Sequence, residues 1–482
     1  MRAREMVNRG KSKWDSTLDM LRRNGQEHVL QFFEYLAPEK QLGVMAQLDG
    51  VDLSMLRREV LRLRRSSGDG LRLKPATCIA LPTTATDEER WELARTVGNE
   101  TIRRGEIAIV SAAGGQGTRF GSISSKGMVP ITPVRGKTLF QLFAERILSY
   151  ERRYDISVPW LILTSSTNKE ETIEYFERND YFGLDEVHIF SQGQLPTMDL
   201  DGKLILTSKE SIATHPDGHG GLILAMGRNG LFTTLNRLAI KHVSYHQIDN
   251  PLARPLDEPF VGFHMSAGAQ MSSRCVRKAY AAEKVGVFVE IDGKLSVVEY
   301  MDLPPECAAS LDVANRLRFS LANVAMHMFE LSFLEQFYSK APAGKIVDLP
   351  LHPSMKRVPY LNGACHLVRP TEPNAVKLER FIFDLLPHAD RTVLLEGKRE
   401  EIFSPIKNQA GLDSPETSKR DQVRQFANWL ASGKVDIIRD ADGTPPFPIE
   451  IAPSFANTSR EFVDRWSTLQ ERPAVIENFY LE

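Results

Sequence analysis

The stretch from Ile107 to Ile147 restricts the possible folds of this chain more than any other. It opens with four consecutive apolar residues, Ile107-Ala108-Ile109-Val110, the pattern of a strand buried on both faces of a parallel sheet. It then breaks into Ser111-Ala112-Ala113-Gly114-Gly115-Gln116-Gly117-Thr118-Arg119-Phe120-Gly121, with Lys126 shortly after. Gly114, Gly115 and Gly117 let the backbone turn sharply and present bare N–H groups to an anion. Arg119 can grip phosphate oxygens with two parallel hydrogen bonds, and Lys126 adds a mobile point charge. Thr138-x-x-Gln141 predicts a capping box, and Leu139, Leu142, Phe143 and Ile147 the inner stripe of the helix it starts. Strand, glycine-and-cation loop and helix together make a phosphate cradle.

Two common cradles are excluded. G-x-G-x-x-G fails because Phe120 takes the third glycine slot counted from Gly115, and the P-loop fails because Ile131 stands five residues before Gly136. The remaining pattern, G-G-x-G-T-R followed by a lysine, resembles the signature loop of the nucleotidyltransferases that make nucleotide sugars.

The grammar of strand, loop and helix repeats downstream. Val158–Thr164 and Val187–Phe190 read as further buried strands, with Thr167-x-x-Glu170 capping the helix between them. Ligands of doubly wound sheets sit beyond the carboxyl ends of strands, so Gln192 is a candidate, its amide suited to a pyrimidine edge. Ala213–Gly221, rich in glycine, reads as an irregular loop that can wrap a base and ribose. His215 and His219 within it lack the company that a zinc site needs. His242–Ile248 reads as a strand delivering Asp249, a hard-oxygen ligand for Mg²⁺, or a turn cap.

By residue 250 several separated segments match one family. They are the glycine-Arg-Lys loop, Gln192-Gly193-x-Leu195-Pro196, Pro216-Asp217-Gly218-His219-Gly220-Gly221 and Asp249-Asn250. Val285-Gly286-Val287, Val297-Val298-Glu299-Tyr300, Asn323–His327, Lys377–Asp384, Phe403–Asn408 and Asp413–Thr417 follow in order. Gly25-Gln26-Glu27-His28 and Ile449–Pro453 match the family's ends. The ordered set resembles the UDP-N-acetylhexosamine pyrophosphorylases, within the UDP-sugar pyrophosphorylase group.

The resemblance implies an α/β fold: a doubly wound, Rossmann-like nucleotidyltransferase domain (GT-A-like) over residues 101–385. A helical N-terminal region (1–100) and a small α+β C-terminal region (386–482) would flank it. It implies that UTP and N-acetylglucosamine 1-phosphate give UDP-N-acetylglucosamine and pyrophosphate, with Mg²⁺ (or Mn²⁺). Glucose 1-phosphate, a broader range of sugar phosphates and a non-catalytic nucleotide-sugar sensor rank behind it. Carried over by position, Ala113, Gly114, Gly115, Gly117, Thr118, Gln192, Pro216, Gly218 and His219 would bind the nucleotide. Asp249, Gly286, Glu299, Asn323, Phe381 and Phe383 would face the sugar, with Asp249 also holding the metal. Arg119, Lys126 and Lys407 would act on the phosphates. The chain departs from the family at Ser125, where a proline usually precedes the lysine, and at His219, where asparagine is common.

Residue types add further expectations. Val29, Leu30, Phe32, Phe33 and Leu36 predict a helix ending near Pro38, and the arginines from Arg57 to Arg72 a solvated helix face. Asn323 and His327, four apart, would share a helix face, with His327 a packed core residue. Phe381 and Phe383 would point the same way on a strand, and Val435–Ile438 reads as a late strand. A net charge of −2 over 482 residues gives no global reason for a nucleic-acid or membrane partner, and no obligate protein partner is expected. Four scattered cysteines and no apolar leader favour a cytoplasmic setting.

Overall fold

The computed structural model describes residues 14–48, 51–62, 72–115, 125–340 and 349–482. They form two compact units, each assembled from three separated stretches. The smaller comprises the described residues up to 62, with Gln192–Leu224 and Tyr338–Ile382. The larger comprises those of Leu71–Ser191, Ala225–Phe337 and Phe383–Glu482.

The larger unit is built on a ten-stranded mixed sheet. Its strands are β1 (Leu73–Pro75), β2 (Ile107–Ala112), β3 (Trp160–Thr164), β4 (Val187–Ser191) and β5 (His242–Gln247). They continue with β6 (Met271–Arg277), β7 (Val287–Ile291), β8 (Lys294–Val298), β9 (Leu321–Glu330) and β10 (Thr392–Glu396). The order is β1-β7-β9-β5-β2-β3-β4, with β8 beside β7, β6 beside β9 and β10 beside β6. β5, β2, β3 and β4 are mutually parallel, and in β2 and β3, covered on both faces, the apolar runs are nearly unbroken. The chain leaves β2 for β3 on one side, and β5 later returns on the other. That reversal is the switch point at which doubly wound sheets open a crevice. Ala112 pairs with Gln247, so β2 and β5 end level with each other.

Helices α1 (Ala85–Arg103), α2 (Leu139–Tyr154), α3 (Lys169–Arg178) and α4 (Glu258–Ser266) belong to this unit, with α5 (Pro415–Ser432) and α6 (Ser459–Thr468) nearer the carboxyl terminus. Thr138 caps α2 as predicted, its Oγ1 accepting from the Gln141 N–H at 3.2 Å. The Gln141 amide does not return the bond; it donates to Glu145 instead. Leu139, Leu142, Phe143 and Ile147 are buried on the inner face. At α3 the N-cap is Asn168 rather than Thr167. The Asn168 amide is used elsewhere, accepting from the Ser165 N–H at 2.8 Å and donating to the Ala113 carbonyl at 3.0 Å. Val435–Ile438 is not a strand: Val435 and Ile437 pack on the carboxyl-terminal core, while Ile438 is exposed. Strand pairing there joins Ile449–Ile451 to Phe479–Leu481.

In the smaller unit, helices over 14–23, Pro38–Leu48 and Leu53–Arg62 share a core with short antiparallel pairs. The helix predicted across Val29–Leu36 is instead two 3-10 turns, Glu27–Leu30 and Phe33–Tyr35. Pro38 starts the next helix rather than ending one, because a helix's first turn has no use for the missing N–H. The Gln26 amide explains the turns. It donates to the Gly202 carbonyl at 2.7 Å and accepts from the Leu204 N–H at 2.8 Å, holding the segment against a loop as a strand partner would. In Leu53–Arg62, Leu53, Leu56 and Val60 are buried and Arg58 is exposed, as expected of a solvated basic face, but Arg57 is half-buried with its Nε fully covered; Arg64 and Arg65 lie outside the described residues. The loop before Gly221 is partly regular: Thr214–Pro216 pairs with Gln194–Pro196. Among the described residues no helix is long and apolar enough to cross a membrane.

Candidate active site

The crevice at the switch point is lined by β2 and its glycines on one side and by Asp249 on the other. Ala113 is fully buried, with its N–H donated to Leu163 at 2.7 Å. Gly114 and Gly115 then emerge at the surface, and Gly115 packs on the stem of Lys126. The ammonium of Lys126 donates to Asp249 Oδ2 at 2.8 Å and to the Ile406 carbonyl at 3.3 Å. Both side chains are mostly covered, 19% and 13% exposed, so their ion pair is shielded from bulk screening.

Ser125 sits at φ −57°, an angle that proline would also hold. It is fully buried, and its Oγ accepts from the Gly127 N–H at 3.4 Å.

A segment far along the chain completes this basin. Asn250 clasps it from both sides, donating to the Ile402 carbonyl at 2.8 Å and accepting from the Ser404 N–H at 3.0 Å. The Ile406 N–H donates to the Asp249 carbonyl at 2.8 Å. Lys407 follows, its N–H held by the Asp413 carbonyl at 2.7 Å and its ammonium 5.9 Å from the centre of the Phe403 ring. Burial pushes the Asp413 carboxyl up, and the Lys407 ammonium partly offsets this. Lys126 and Asp249 are thus brought together, and the backbone of Lys407 follows directly on Ile406, which both of them bond. Gly117, Thr118 and Arg119 lie outside the described residues.

The same sheet edge carries a second group. β9 runs antiparallel to β5 with His327 opposite Tyr245, so Asn323, near its start, lies where β5 ends. The Asn323 N–H donates to the Gly286 carbonyl at 2.8 Å, and a Cβ on Gly286 would come within 2.9 Å of Glu299 Oε1. Gly286, Glu299 and Asn323 are therefore neighbours. The helix expected over Asn323–His327 is corrected to a strand with a bulge, in which Ala325 takes φ +54° and donates to Asn323 Oδ1 at 2.9 Å. Pairing with β5 and β6 on both sides overrides the helical spacing. His327 is buried as expected, with Nδ1 bonded to Ser273 Oγ at 2.8 Å.

In the smaller unit, Gly218 adopts φ +86°, and a Cβ there would lie 2.3 Å from the Arg380 carbonyl. The loop is sewn to Arg380 on both sides: Arg380 donates to the Asp217 carbonyl at 2.8 Å, and Gly220 to the Arg380 carbonyl at 2.9 Å. Gly193 accepts from the Asp217 N–H, which ties Gln192's neighbour to this loop beside Pro216.

His215 Nε2 accepts from the Leu378 N–H at 2.9 Å, and His219 Nδ1 from the Ile382 N–H at 3.1 Å. Burial pulls both imidazoles down to about 4. Phe381 stacks between His219 at 5.1 Å and His352 at 4.4 Å. Phe381 and Phe383 do not share a strand. Ala375–Glu379 ends because the Arg380 backbone pairs with the 217–220 loop, and Phe383, buried in the larger unit, lies on the 3-10 helix Ile382–His388.

Sequence reasoning gave no role to Asn250, Asp413 or Arg380, although each stands within or beside a quoted block. What these three do depends on contacts too distant in sequence for spacing to show.

The family model for UTP–glucose-1-phosphate uridylyltransferase matches residues 79–412. The chain belongs to that family, and the enzyme class is nucleotidyltransferase. It is 34% identical to mouse UDP-N-acetylhexosamine pyrophosphorylase-like protein 1 over 90% of this chain and 91% of that one. It is also 34% identical to UDP-N-acetylglucosamine diphosphorylase 2 of Arabidopsis thaliana, over 87% and 85%. Among solved structures, the uridine diphosphate N-acetylglucosamine pyrophosphorylase of Trypanosoma brucei, in complex with an inhibitor, superposes with a TM-score of 0.80 and 25% identity over 98% of each chain.

Proposed function

We propose that this uridylyltransferase joins UTP to N-acetylglucosamine 1-phosphate, releasing pyrophosphate and forming UDP-N-acetylglucosamine. The observation that carries the reading is the Lys126–Asp249 ion pair, bonded to Ile406 next to Lys407 at the switch point of the sheet. A sugar phosphate has its second pKa near 6 and arrives at neutral pH as an anion, so no general base is needed. The task is to hold one anion against a more anionic triphosphate and to stabilise charge on the departing pyrophosphate.

In this reading Lys407 faces the α-phosphate and the incoming phosphate, while Lys126 and Arg119 take the β/γ-phosphates. In the larger unit Ala113, Gly114, Gly115, Gly117 and Thr118 are the nucleotide-binding candidates, and in the smaller unit Gln192, Pro216, Gly218 and His219 are. Gly286, Glu299, Asn323, Phe381 and Phe383 select the sugar. Asp249 offers hard oxygens at the edge where phosphates would lie. Mg²⁺ (or Mn²⁺) usually takes one or two carboxylates plus substrate phosphates, so a single aspartate suits it. The ion would supply positive charge to the phosphate oxygens. Four free thiols, Cys78, Cys275, Cys307 and Cys365, support a cytoplasmic setting.

The test is pyrophosphate release from UTP and Mg²⁺ with each of several sugar 1-phosphates. N-acetylglucosamine 1-phosphate should turn over fastest and glucose 1-phosphate more slowly; no release with any sugar refutes the reading. Lys126→Ala should lower turnover by about 10²–10³, as losing one oxyanion donor does, and should also lower the melting temperature, because Asp249 loses its partner.

A further inference from the structure

A second cavity of the larger unit, about 260 Å³ in volume, opens between the loop that follows β5, the residues after β10 and the start of α6. Five cations line it, Arg95, Arg254, Arg274, Lys398 and Arg460, against three carboxylates, Asp257, Glu258 and Glu401. Five against three leaves two positive charges in excess within the lining, and Glu92, which pairs with both Arg95 at 3.3 Å and Arg460 at 2.7 Å, reduces the excess to one. Burial, and then the Asp257 carboxylate beside it, push the Glu258 carboxyl up.

The arginines are not saturated by this acidic set. Arg274 is only 3% exposed and donates through Nη1 to Asp257 Oδ1 at 2.8 Å. Its buried Nε–H meets no acceptor among the described residues, and neither does that of Arg254. The ion pairs of Arg254 are long, 3.4 Å to Asp257 and 3.6 Å to Glu401. A buried donor without a partner is costly, and two of them on arginines that line one basic cavity call for an acceptor that brings its own charge. The wall also includes Ser459 and Arg460, the first residues of the ten-residue α6. N–H groups in a helix's first turn favour an anion.

We propose that this cavity is a binding site for a phosphate-class oxyanion, separate from the Lys126–Asp249 basin. The ligand is inorganic phosphate or the phosphoryl end of a small phosphomonoester. Both present several acceptor oxygens to forked guanidinium donors, and the cavity holds either.

The test is isothermal titration of the full chain at constant ionic strength, with inorganic phosphate in one arm and glycerol 1-phosphate in the other. A Lys126→Ala background weakens binding in the other basin. Saturable binding should persist in that background, and the Lys398→Ala/Arg460→Ala double variant should raise the dissociation constant by about tenfold or more. Both of those side chains are exposed, and an unchanged melting temperature confirms that the double variant is folded. Binding by only one probe identifies the source of the oxyanion and supports the site. No saturable binding of either probe, loss of binding with Lys126→Ala, or an unchanged constant in the folded double variant overturns it. None of these outcomes depends on turnover, so the site stands or falls apart from the proposed reaction.

Discussion

The two glycine clusters of this chain look alike in sequence, yet different neighbours make them necessary. At Gly115 an added Cβ would meet only the stem of Lys126, 3.5 Å away, at ordinary van der Waals distance. At Gly218 it would lie 2.3 Å from a backbone carbonyl, at a φ of +86° that side chains rarely adopt. The first cluster lies against a flexible side chain at the mouth of a crevice. The second is locked to the rigid end of a strand. A glycine beside a movable chain can be kept for what it lets approach, whereas a glycine against backbone is kept because nothing else fits.

Three measurements bear on this contrast. Gly218→Ala should have the largest effect, about 3 kcal/mol or more in denaturant unfolding, because a strained φ adds to a clash that Arg380 cannot relieve. A loss under about 1 kcal/mol would mean that the loop leaves Arg380 freely, and the contrast would fail.

Next comes acid sensitivity of the second cluster. His215 is buried and its pKa falls to about 4, so the unfolded chain takes up its proton first as the pH drops below the ordinary histidine value near 6.5. Stability is full above that value and is lost as the pH falls toward 4. At pH 5.5 the loss is about 1.4 kcal/mol from His215, with His219 adding to it. Denaturant titrations at several pH values, repeated on His215→Gln, should show that the slope shrinks in the variant.

The smallest effect on stability is expected from Gly115→Ala, within about 0.5 kcal/mol. The methyl group touches the Lys126 stem only at ordinary contact distance but stands beside a phosphate-handling group, so turnover should still fall, by about tenfold. Equal losses of stability and turnover would erase the distinction between the clusters.

The central sheet was legible because β2 and β3 are apolar on both faces, a pattern that few other structures satisfy. Asp249 and Lys126 were legible by chemical type and by position after a strand or a glycine loop. What escaped depends on remote partners. Asn323 and His327 have helical spacing, but β5 and β6 draw them into a strand. Val29–Leu36 has a helical stripe, but the Gln26 amide bends it around residues 202–204. The bond from Lys126 to the Ile406 carbonyl spans 280 residues, and no local pattern announces it. Phe381 and Phe383 were paired by a period-2 argument that held only while the strand continued, and Arg380 ends it.

The clasp made by Asn250 has a consequence for how the protein is born. Its two backbone partners, at residues 402 and 404, leave the ribosome more than 150 residues after the amide that binds them. A nascent chain can lay down β2 and β5 beside each other while the loop carrying Lys407 does not yet exist. Competence for phosphates therefore comes late in synthesis, when the last fifth of the polypeptide is being made, and a chain cut before residue 402 would own a crevice with one side missing.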